Sequence, residues 1–496
     1  MSKYLYGAAV QGIQDFIFKT NELKHIVGAS ELVEQICTTA FNEFAKNGES
    51  VVRAAGNIKF IFEKEVDCAK AVREFPKKVM TMAPGITISQ AIAVMEDDND
   101  FERAVNSLEV KLLAQRNKPL ASTTLGLMAI ERSRQTGLPA VEKRGKDFLD
   151  EAAVKKRNMT IEGKVVKELA KKESGNIFLS DDVIPYNISD LADKNNWIAI
   201  IHIDGNGLGD IIPRIGTNME KLRIFSVNLD RATTKAAQAA YKDAIASEHY
   251  NPMNASVIPI RAIVLNGDDH TLMCNAGIAM DYVRSFLDNF QQETGEGEIG
   301  TIIKETLGKD HLTACAGISF VKSSYPFHYG YELAERLCGI AKNASGRNHS
   351  CLMFHKVQSG FVEDYKEIER KELTPSNNHS FKFGPYYLCA STQDNGHWTI
   401  DELLEQVEAL TETKDGNATK NDIRQWLTLM HRDIDAAEQW KKSVVSISTE
   451  KQKKWFEKAM WTVKREETYY HPAYDILSLV DVMHKVTKNK EINKEV

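Results

Sequence analysis

Seven residues, Trp197-Ile198-Ala199-Ile200-Ile201-His202-Ile203, form an almost continuous apolar run that stops at Asp204. A run of this length without alternation is the pattern of a central strand covered on both faces. An ionised carboxylate at the end of such a strand needs a compensating partner, and a divalent cation is an efficient one. The residues that follow, Gly205-Asn206-Gly207-Leu208-Gly209, allow backbone to approach a phosphate with no Cβ in the way. A dinucleotide-binding loop is the rival reading. Its G-x-G-x-x-G spacing is not matched here, and no helix of the right pattern is expected to follow.

The elements around this strand set the architecture. A helix is expected over about Met219 to Ala246, then strands at Val257–Leu265 and Thr271–Cys274 flanking a two-residue turn. A helix near Ile278–Gln292, a strand at Leu312–Phe320, a helix at Gly330–Asn343 and a strand at Ser350–His355 follow. The first part of the chain has the same order: a strand at Tyr4–Val10, a helical stretch from Ile13 to Phe44, a hairpin over Val51–Phe62 turning at Gly56-Asn57, a helix at Cys68–Met80 and a strand at Ile86–Met95. Strand, helix, hairpin, helix, strand thus occurs twice, which implies two copies of one ferredoxin-like palm module. The fold class is α+β. A degenerate first palm is expected at 1–130, a charged connector at 131–190, the functional second palm at 191–360 and a helical C-terminal domain at 361–496. Within the connector, Arg144–Lys172 reads as one or two solvated helices. In the tail, Thr399-Ile400-Asp401-Glu402 fits a capping box, and Trp426, Trp455 and Ile476 recur at helical spacing as core.

The second acidic element is Leu265-Asn266-Gly267-Asp268-Asp269-His270. Asn-Gly between two apolar strands predicts a type I′ hairpin, whose two central residues take positive φ. Two adjacent acids just past its tip repel each other, and shared metal ions would remove that penalty. A palm brings this hairpin beside the end of its first strand, so Asp204, Asp268 and Asp269 would converge as ligands of two Mg²⁺ or Mn²⁺ ions, with Gly205 beside them. Gly205, Asn206, Gly207 and Gly267 would line bound phosphates. His270 is expected to face outward. A third element, Ala341-Lys342-Asn343-Ala344-Ser345-Gly346-Arg347-Asn348, places Lys342 and Arg347 where they could offset a triphosphate's charge. The first module keeps the turn, as Ala54-Ala55-Gly56-Asn57, but the acids are absent from it. It is expected to keep the fold without binding catalytic metal and to serve as a platform for a second nucleotide.

Composition limits what else the chain can do. Its 496 residues carry a net charge of -6, with 27% charged and 43% hydrophobic side chains, so no whole-protein field attracts nucleic acid. Seven cysteines include no C-x-x-C pair, which argues against a zinc ribbon and for buried free thiols in a reducing compartment. No signal-peptide core and no stretch near the ~20 apolar residues of a membrane span occur. The expected location is cytoplasmic, away from membranes.

Gly12-Ile13-Gln14-Asp15-Phe16-Ile17-Phe18 and Ile26-Val27-Gly28-Ala29-Ser30-Glu31-Leu32 resemble the opening of the large polymerase-cyclase subunit of type III CRISPR effectors. The G-G-D-D hairpin of that family's second palm is matched by Asn266-Gly267-Asp268-Asp269, its first-strand aspartate by Asp204, and its A-K…G-K-N loop by Ala341-Lys342 and Gly346-Arg347-Asn348. The resemblance implies an Mg²⁺- or Mn²⁺-dependent nucleotidyltransferase that makes cyclic oligonucleotide second messengers in antiviral defence, with ATP as the first substrate to test. It also implies RNA or CRISPR effector subunits as partners, and a homo-oligomer is a further candidate assembly. Asn266 stands where the family has its leading glycine. No His-Asp dipeptide and no zinc cysteines are found, and Gln135–Ala140 has the place of a zinc-region remnant. The family's HD nuclease is therefore not expected, and the chain has the character of a shortened, standalone relative. Two alternatives remain open: a catalytically silent nucleotide-binding scaffold subunit, and a transferase joining AMP to another small molecule.

Overall fold

The computed structural model describes residues 2–483 except 19, 55, 98–99, 119–128, 160–183, 251–256, 359–363, 377, 391–395 and 412–413. The first palm comprises β1 (Lys3–Gln11), α1 (Ile13–Phe18), α2 (Leu23–Gln35), β2 (Gly48–Ala54), β3 (Asn57–Phe62), α3 (Glu65–Met82), β4 (Thr87–Met95) and α4 (Phe101–Arg116). Its sheet has the order β2-β3-β1-β4, antiparallel throughout. The single helix expected from Ile13 to Phe44 is broken after α1, where the Thr20 hydroxyl accepts from the Glu22 amide at 3.1 Å and offers the backbone a turn in place of a helical bond.

After the connector's hairpin, β5 (Ala140–Arg144) and β6 (Asp147–Asp150), comes α5 (Glu151–Asn158), N-capped by the Asp150 carboxylate at 3.0 Å from the Ala153 amide. The charged stretch from Arg144 thus forms one strand pair and one helix. The expectation for 160–172 lies outside the described residues.

The second palm comprises β7 (Trp197–Gly205), α6 (Leu208–Ile215), α7 (Met219–Ala246), β8 (Ile260–Asn266), β9 (Asp269–Asn275), α8 (Ala279–Gly295), α9 (Gly297–Leu307), β10 (Ala314–Lys322), α10 (Phe327–Ala344) and β11 (Cys351–Lys356). Its sheet places β8-β9-β7-β10 in the order of the first palm's β2-β3-β1-β4, then adds β11 parallel to β10 and a short edge strand at Tyr386–Tyr387. The repeat in the sequence is therefore a repeat of topology.

β7 is covered on both faces. Ile200 meets α10 at Gly330, while Ile203, on the opposite face, pairs with His270, which packs on Tyr282 and Phe286 of α8. Ile198, Ile200, Ile201 and Ile203 are all at most 1% exposed. Burial of each contributes roughly 2–3 kcal/mol, which is why the strand is apolar without alternation.

The palms meet through side chains of the first fifty residues. Gln14 donates to Tyr331 Oη at 3.0 Å and to Glu335 Oε1 at 2.8 Å, both on α10. Phe18 lies 3.9 Å from the Tyr331 ring, centre to centre. Arg223 on α7 pairs with Glu49 at 2.8 Å.

Beyond 361 the described residues are mostly helical, with Trp426 and Ile476 at 0% exposure and Trp455 at 8%, as expected of core. The capping box at Thr399 forms, with reciprocal bonds to Glu402 of 2.7 and 3.1 Å. The described residues include no helix long and apolar enough to cross a membrane.

A Cβ built on Gly317 of β10 would lie 1.9 Å from the Ala334 carbonyl of α10, whereas one on Gly339 of the same helix meets nothing within 4 Å. Gly317→Ala should therefore separate helix from sheet and destabilise by about 3 kcal/mol or more. Gly339→Ala should stabilise by about 0.5–1 kcal/mol. Urea unfolding of the two variants checks both signs.

Candidate active site

Asp204 is the penultimate residue of β7 and lies directly opposite Asp269 in the antiparallel β7–β9 ladder. Opposed residues in such a ladder have Cα atoms only ~4.5–5.5 Å apart. Asp268 closes the cluster from the hairpin tip. A Cβ placed on Gly205 would lie 2.8 Å from Asp268 Cβ, and the Gly205 amide donates to the Asp268 carbonyl at 3.3 Å. Gly205 is thus required by the carboxylate packed against it.

The turn differs from the expected one by a residue. Asn266 pairs with Asp269, so the loop residues are Gly267 and Asp268. Gly267 has φ +65° and neither Asn266 nor Asp268 has positive φ, which is the sign pattern of a type II′ turn with glycine first. Asp268 therefore sits in the tip. The tip is held from α7: the Thr233 hydroxyl donates to the Gly267 carbonyl at 2.5 Å, and the Gly267 amide donates to Asp230 Oδ1 at 3.3 Å.

Charge in the cluster is only partly offset. Burial first, then the neighbouring Asp204, raises the Asp268 carboxyl well above the ordinary range. Asp269 is raised to about 7 by desolvation first, then by Asp204 and Glu335, although its side chain keeps an open edge to solvent. Lys342, itself 8% exposed, places its ammonium 2.5 Å from Asp204 Oδ2 and donates to the Gly205 carbonyl at 2.9 Å. Arg347 stands in the adjoining exposed loop with φ +60°, and its guanidinium has no contact with the carboxylates among the described residues.

Two further expectations are corrected, at the residues after Gly207 and at His270, and the Asn206 side chain takes a place the sequence did not indicate. A helix, α6, does begin directly after Gly207, which caps it with φ +91°. The Asn206 side chain is 2% exposed and points inward, donating to Thr313 Oγ1 at 3.0 Å and Cys315 Sγ at 3.3 Å, so the amide supports the loop from beneath. His270 is fully buried: its Nε2 is 2.7 Å from Tyr282 Oη and its Nδ1 is 3.0 Å from the Val264 carbonyl, and burial lowers it to about 4. Strand alternation is the reason, since Asp269 and His270 must face opposite sides of the sheet and α8 covers the second side.

His202 and Thr271 were not singled out from the sequence, yet they touch Asp269. His202 Nδ1 is 3.0 Å from Thr271 Oγ1 and 3.5 Å from Asp269 Oδ1, and burial holds the ring below its ordinary value. The period-two rule applied backwards from Asp204 and forwards from Asp269 would have found both.

The first palm has a matching set of positions without the chemistry. Ala9 pairs with Asn57 and Asn57 with Ala54, so Ala9, Gly56 and Asn57 stand where the second palm has Asp204, Asp268 and Asp269. Between the palms two adjoining clefts of about 90 and 310 Å³ share Glu34, Leu265 and Asn266; the smaller reaches Asp269 and the larger Arg53 and Arg223. A larger cleft of about 550 Å³, lined by Asp15, His25, Asp150 and Lys156, belongs to the first palm and connector and does not touch the carboxylates.

Residues 197–351 match the sequence family described as Cas10/Cmr2, second palm domain. The chain carries a Cas10-like palm. The structure is similar to a Csm1–Csm4 cassette in complex with pppApApA (TM-score 0.55, 13% identity), and to the same cassette with AMPPNP (0.53, 13%) and with cA3 (0.53, 14%). Each likeness covers 97% of this chain and 69% of the other. At this identity the likeness is one of fold, and it extends from the Cas10-like palm across the first palm and the tail. A search of curated protein sequences returned no match.

Asp269→Asn tests the charge balance of the Cas10-like palm. With its folded value raised from 3.8 to about 7, Asp269 holds a proton in the native state that it loses in the unfolded chain, so it lowers stability progressively as pH rises from about 4 to about 7. The variant should match wild type near pH 4 and exceed it by about 1 kcal/mol at pH 8 in chelator, after discounting for the solvent-exposed edge. Denaturant titrations at the two pH values provide the check.

Proposed function

We propose that the second palm is a divalent-cation-dependent nucleotidyl transfer site, joining nucleoside triphosphates into a cyclic oligonucleotide, with ATP as first substrate. The observation that carries this is Asp204 opposed to Asp269 with Asp268 packed against Gly205, a set of hard oxygen donors bearing more negative charge than Lys342 offsets. Among the described residues no group of three His, Cys, Asp or Glu side chains is arranged as it stands to hold a metal ion. The donor chemistry nonetheless fits Mg²⁺ or Mn²⁺, with Asp204, Asp268, Asp269 and the Gly205 carbonyl as the groups that would hold them. When bound, such ions lower the pKa of an attacking hydroxyl and brace the phosphates.

The chain's own residues have these roles in the reading. Gly205 leaves room for Asp268. Thr233 and Asp230 fix the hairpin tip, and His202 with Thr271 orient Asp269. Lys342 carries a fixed positive charge into the site, and Gly207, at the N-terminus of α6, leaves backbone open to phosphate. Arg347 and the inter-palm cleft are the candidate contacts for the rest of the triphosphate and for a second nucleotide. The AMPPNP, pppApApA and cA3 complexes of Csm1–Csm4 support this reading, and they make a Csm4-like subunit the first protein partner to test.

Incubation with Mg²⁺ or Mn²⁺ and labelled ATP, GTP, CTP and UTP should yield a cyclic product. Asp268→Ala and Gly205→Ala should each reduce turnover by about 100-fold or more. No product from any mixture, alone or with a Csm4-like subunit and RNA, overturns the proposal. One observation favours the silent-scaffold reading: Lys342 already bonds both Asp204 and the Gly205 carbonyl, two of the groups a cation would need. In that case Asp268→Ala leaves nucleotide affinity unchanged, and isothermal titration with and without cation separates the two.

A further inference from the structure

Beneath the carboxylates lies a pair of thiols that the nucleotide reading does not use. Cys315 on β10 and Cys351 on β11 are direct register partners in a parallel ladder, and their sulfurs are 3.6 Å apart. Both are 0% exposed, and no described cysteine is in a disulfide. Adjacent strands ~4.7–4.9 Å apart place the two Cα atoms within the range a disulfide spans.

The pair is wired to the site above. Cys315 is also the register partner of Asp204 across β7–β10. Its sulfur accepts from the Asn206 amide at 3.3 Å and lies 3.7 Å from Ser345 Oγ. Ser345 in turn donates to the carbonyl of Lys342 at 3.2 Å, and the Cys351 thiol donates to the Ala341 carbonyl at 3.4 Å. The Asn206, Ser345 and Ala341 contacts of the pair therefore lead to the Gly205–Gly207 loop and to the end of α10 that carries Lys342. The cover over the sulfurs is thin. The His349 carbonyl, 3.6 Å from Cys315 Sγ, belongs to the exposed loop Gly346–His349, in which Gly346 and Arg347 both have positive φ. A non-glycine residue held there costs on the order of 1 kcal/mol, which favours local opening.

We propose that Cys315 and Cys351 form a peroxide-sensitive dithiol that closes to a disulfide and, in closing, releases the Asn206 and Ser345 supports of the carboxylate site. The oxidant class is a small hydroperoxide, for which hydrogen peroxide is the probe. Cys315 thiolate attacks one peroxide oxygen, the O–O bond breaks, and the leaving hydroxide takes up the thiol proton as water, leaving a sulfenic acid. The Cys351 sulfur then attacks the sulfenic sulfur, and the S–OH oxygen departs with the second thiol proton as water. Overall two thiols and one peroxide give one disulfide and two waters. Closing the pair shortens the sulfur separation to ~2.05 Å. Cys351 then has no proton to give the Ala341 carbonyl, and the Cys315 sulfur is drawn away from the Asn206 amide.

The full chain is treated with hydrogen peroxide or with dithiothreitol, both without nucleotide, and mapped by non-reducing peptide mass spectrometry. A Cys315–Cys351 linked peptide, absent after dithiothreitol, is expected. Cys351→Ser should instead leave Cys315 as a sulfenic acid trapped by dimedone, and Cys315→Ser should give neither product. Should peroxide-treated protein, denatured without reductant, still alkylate fully at both thiols, the proposal is overturned. Hydrogen–deuterium exchange over 204–209 and 342–349 reads the coupling: oxidation should accelerate it by about tenfold or more in wild type and leave Cys351→Ser unchanged. Equal exchange in oxidised and reduced wild type overturns the link to the site. Neither readout uses nucleotide, so both stand apart from the transfer reading.

Discussion

Like charges held close together are the constraint around which the second palm is built. Three carboxylates come from two strand ends and one hairpin tip, and the backbone ladder leaves them no freedom to separate. Asp204 and Asp269 are opposed because their strands are paired, and the pairing is fixed by six apolar residues on β7 whose removal from water dominates any local repulsion. Raised carboxyl pKa values at Asp268 and Asp269 are the electrostatic record of that contest. The single ammonium of Lys342 softens it and does not cancel it.

This arrangement explains why so many supporting residues surround so few acids. Gly205 has no side chain because Asp268 occupies the space. Thr233 and Asp230 hold the tip from α7, His202 and Thr271 hold Asp269 from the sheet, and Gln14 reaches from the first palm to Glu335. The support continues underneath, where Asn206 rests on Cys315 and the paired sulfur of Cys351. A site assembled from strand ends is precise to the extent that its second layer is packed, and here Thr233, His202, Thr271, Asn206, Cys315 and Cys351 are all buried. The first palm shows the same scaffold without the constraint. With Ala9, Gly56 and Asn57 at the equivalent positions it places no carboxylate where the second palm has three.

Much of this was legible in the chain. The run 197–203, the Asn-Gly-Asp-Asp string and the repeated element order gave the duplicated palm, the buried strand and the convergence of the three acids, because hydrophobic period and turn chemistry are local properties. The tail's capping box at Thr399 was legible for the same reason. Helix α6 was not, because its eight residues are too few for a periodic signal and its start depends on Gly207 taking positive φ. Nor was the burial of His270, although alternation from Asp269 determines which face it takes, because nothing local says that α8 covers that face.

By itself the sequence determined the strand that cannot be exposed, the acids at its end, and the absence of acids at the hairpin turn of the first module. Tertiary structure decided the rest. It shifted the turn by one residue so that Asp268 sits in the tip, brought Lys342 onto Asp204 from 138 positions further along the chain, turned the Asn206 amide inward, and placed two thiols side by side beneath the site. The division follows from range: pattern and propensity act over a few neighbouring residues, whereas pairing register, charge compensation and sulfur contact depend on which distant surfaces are excluded from water together.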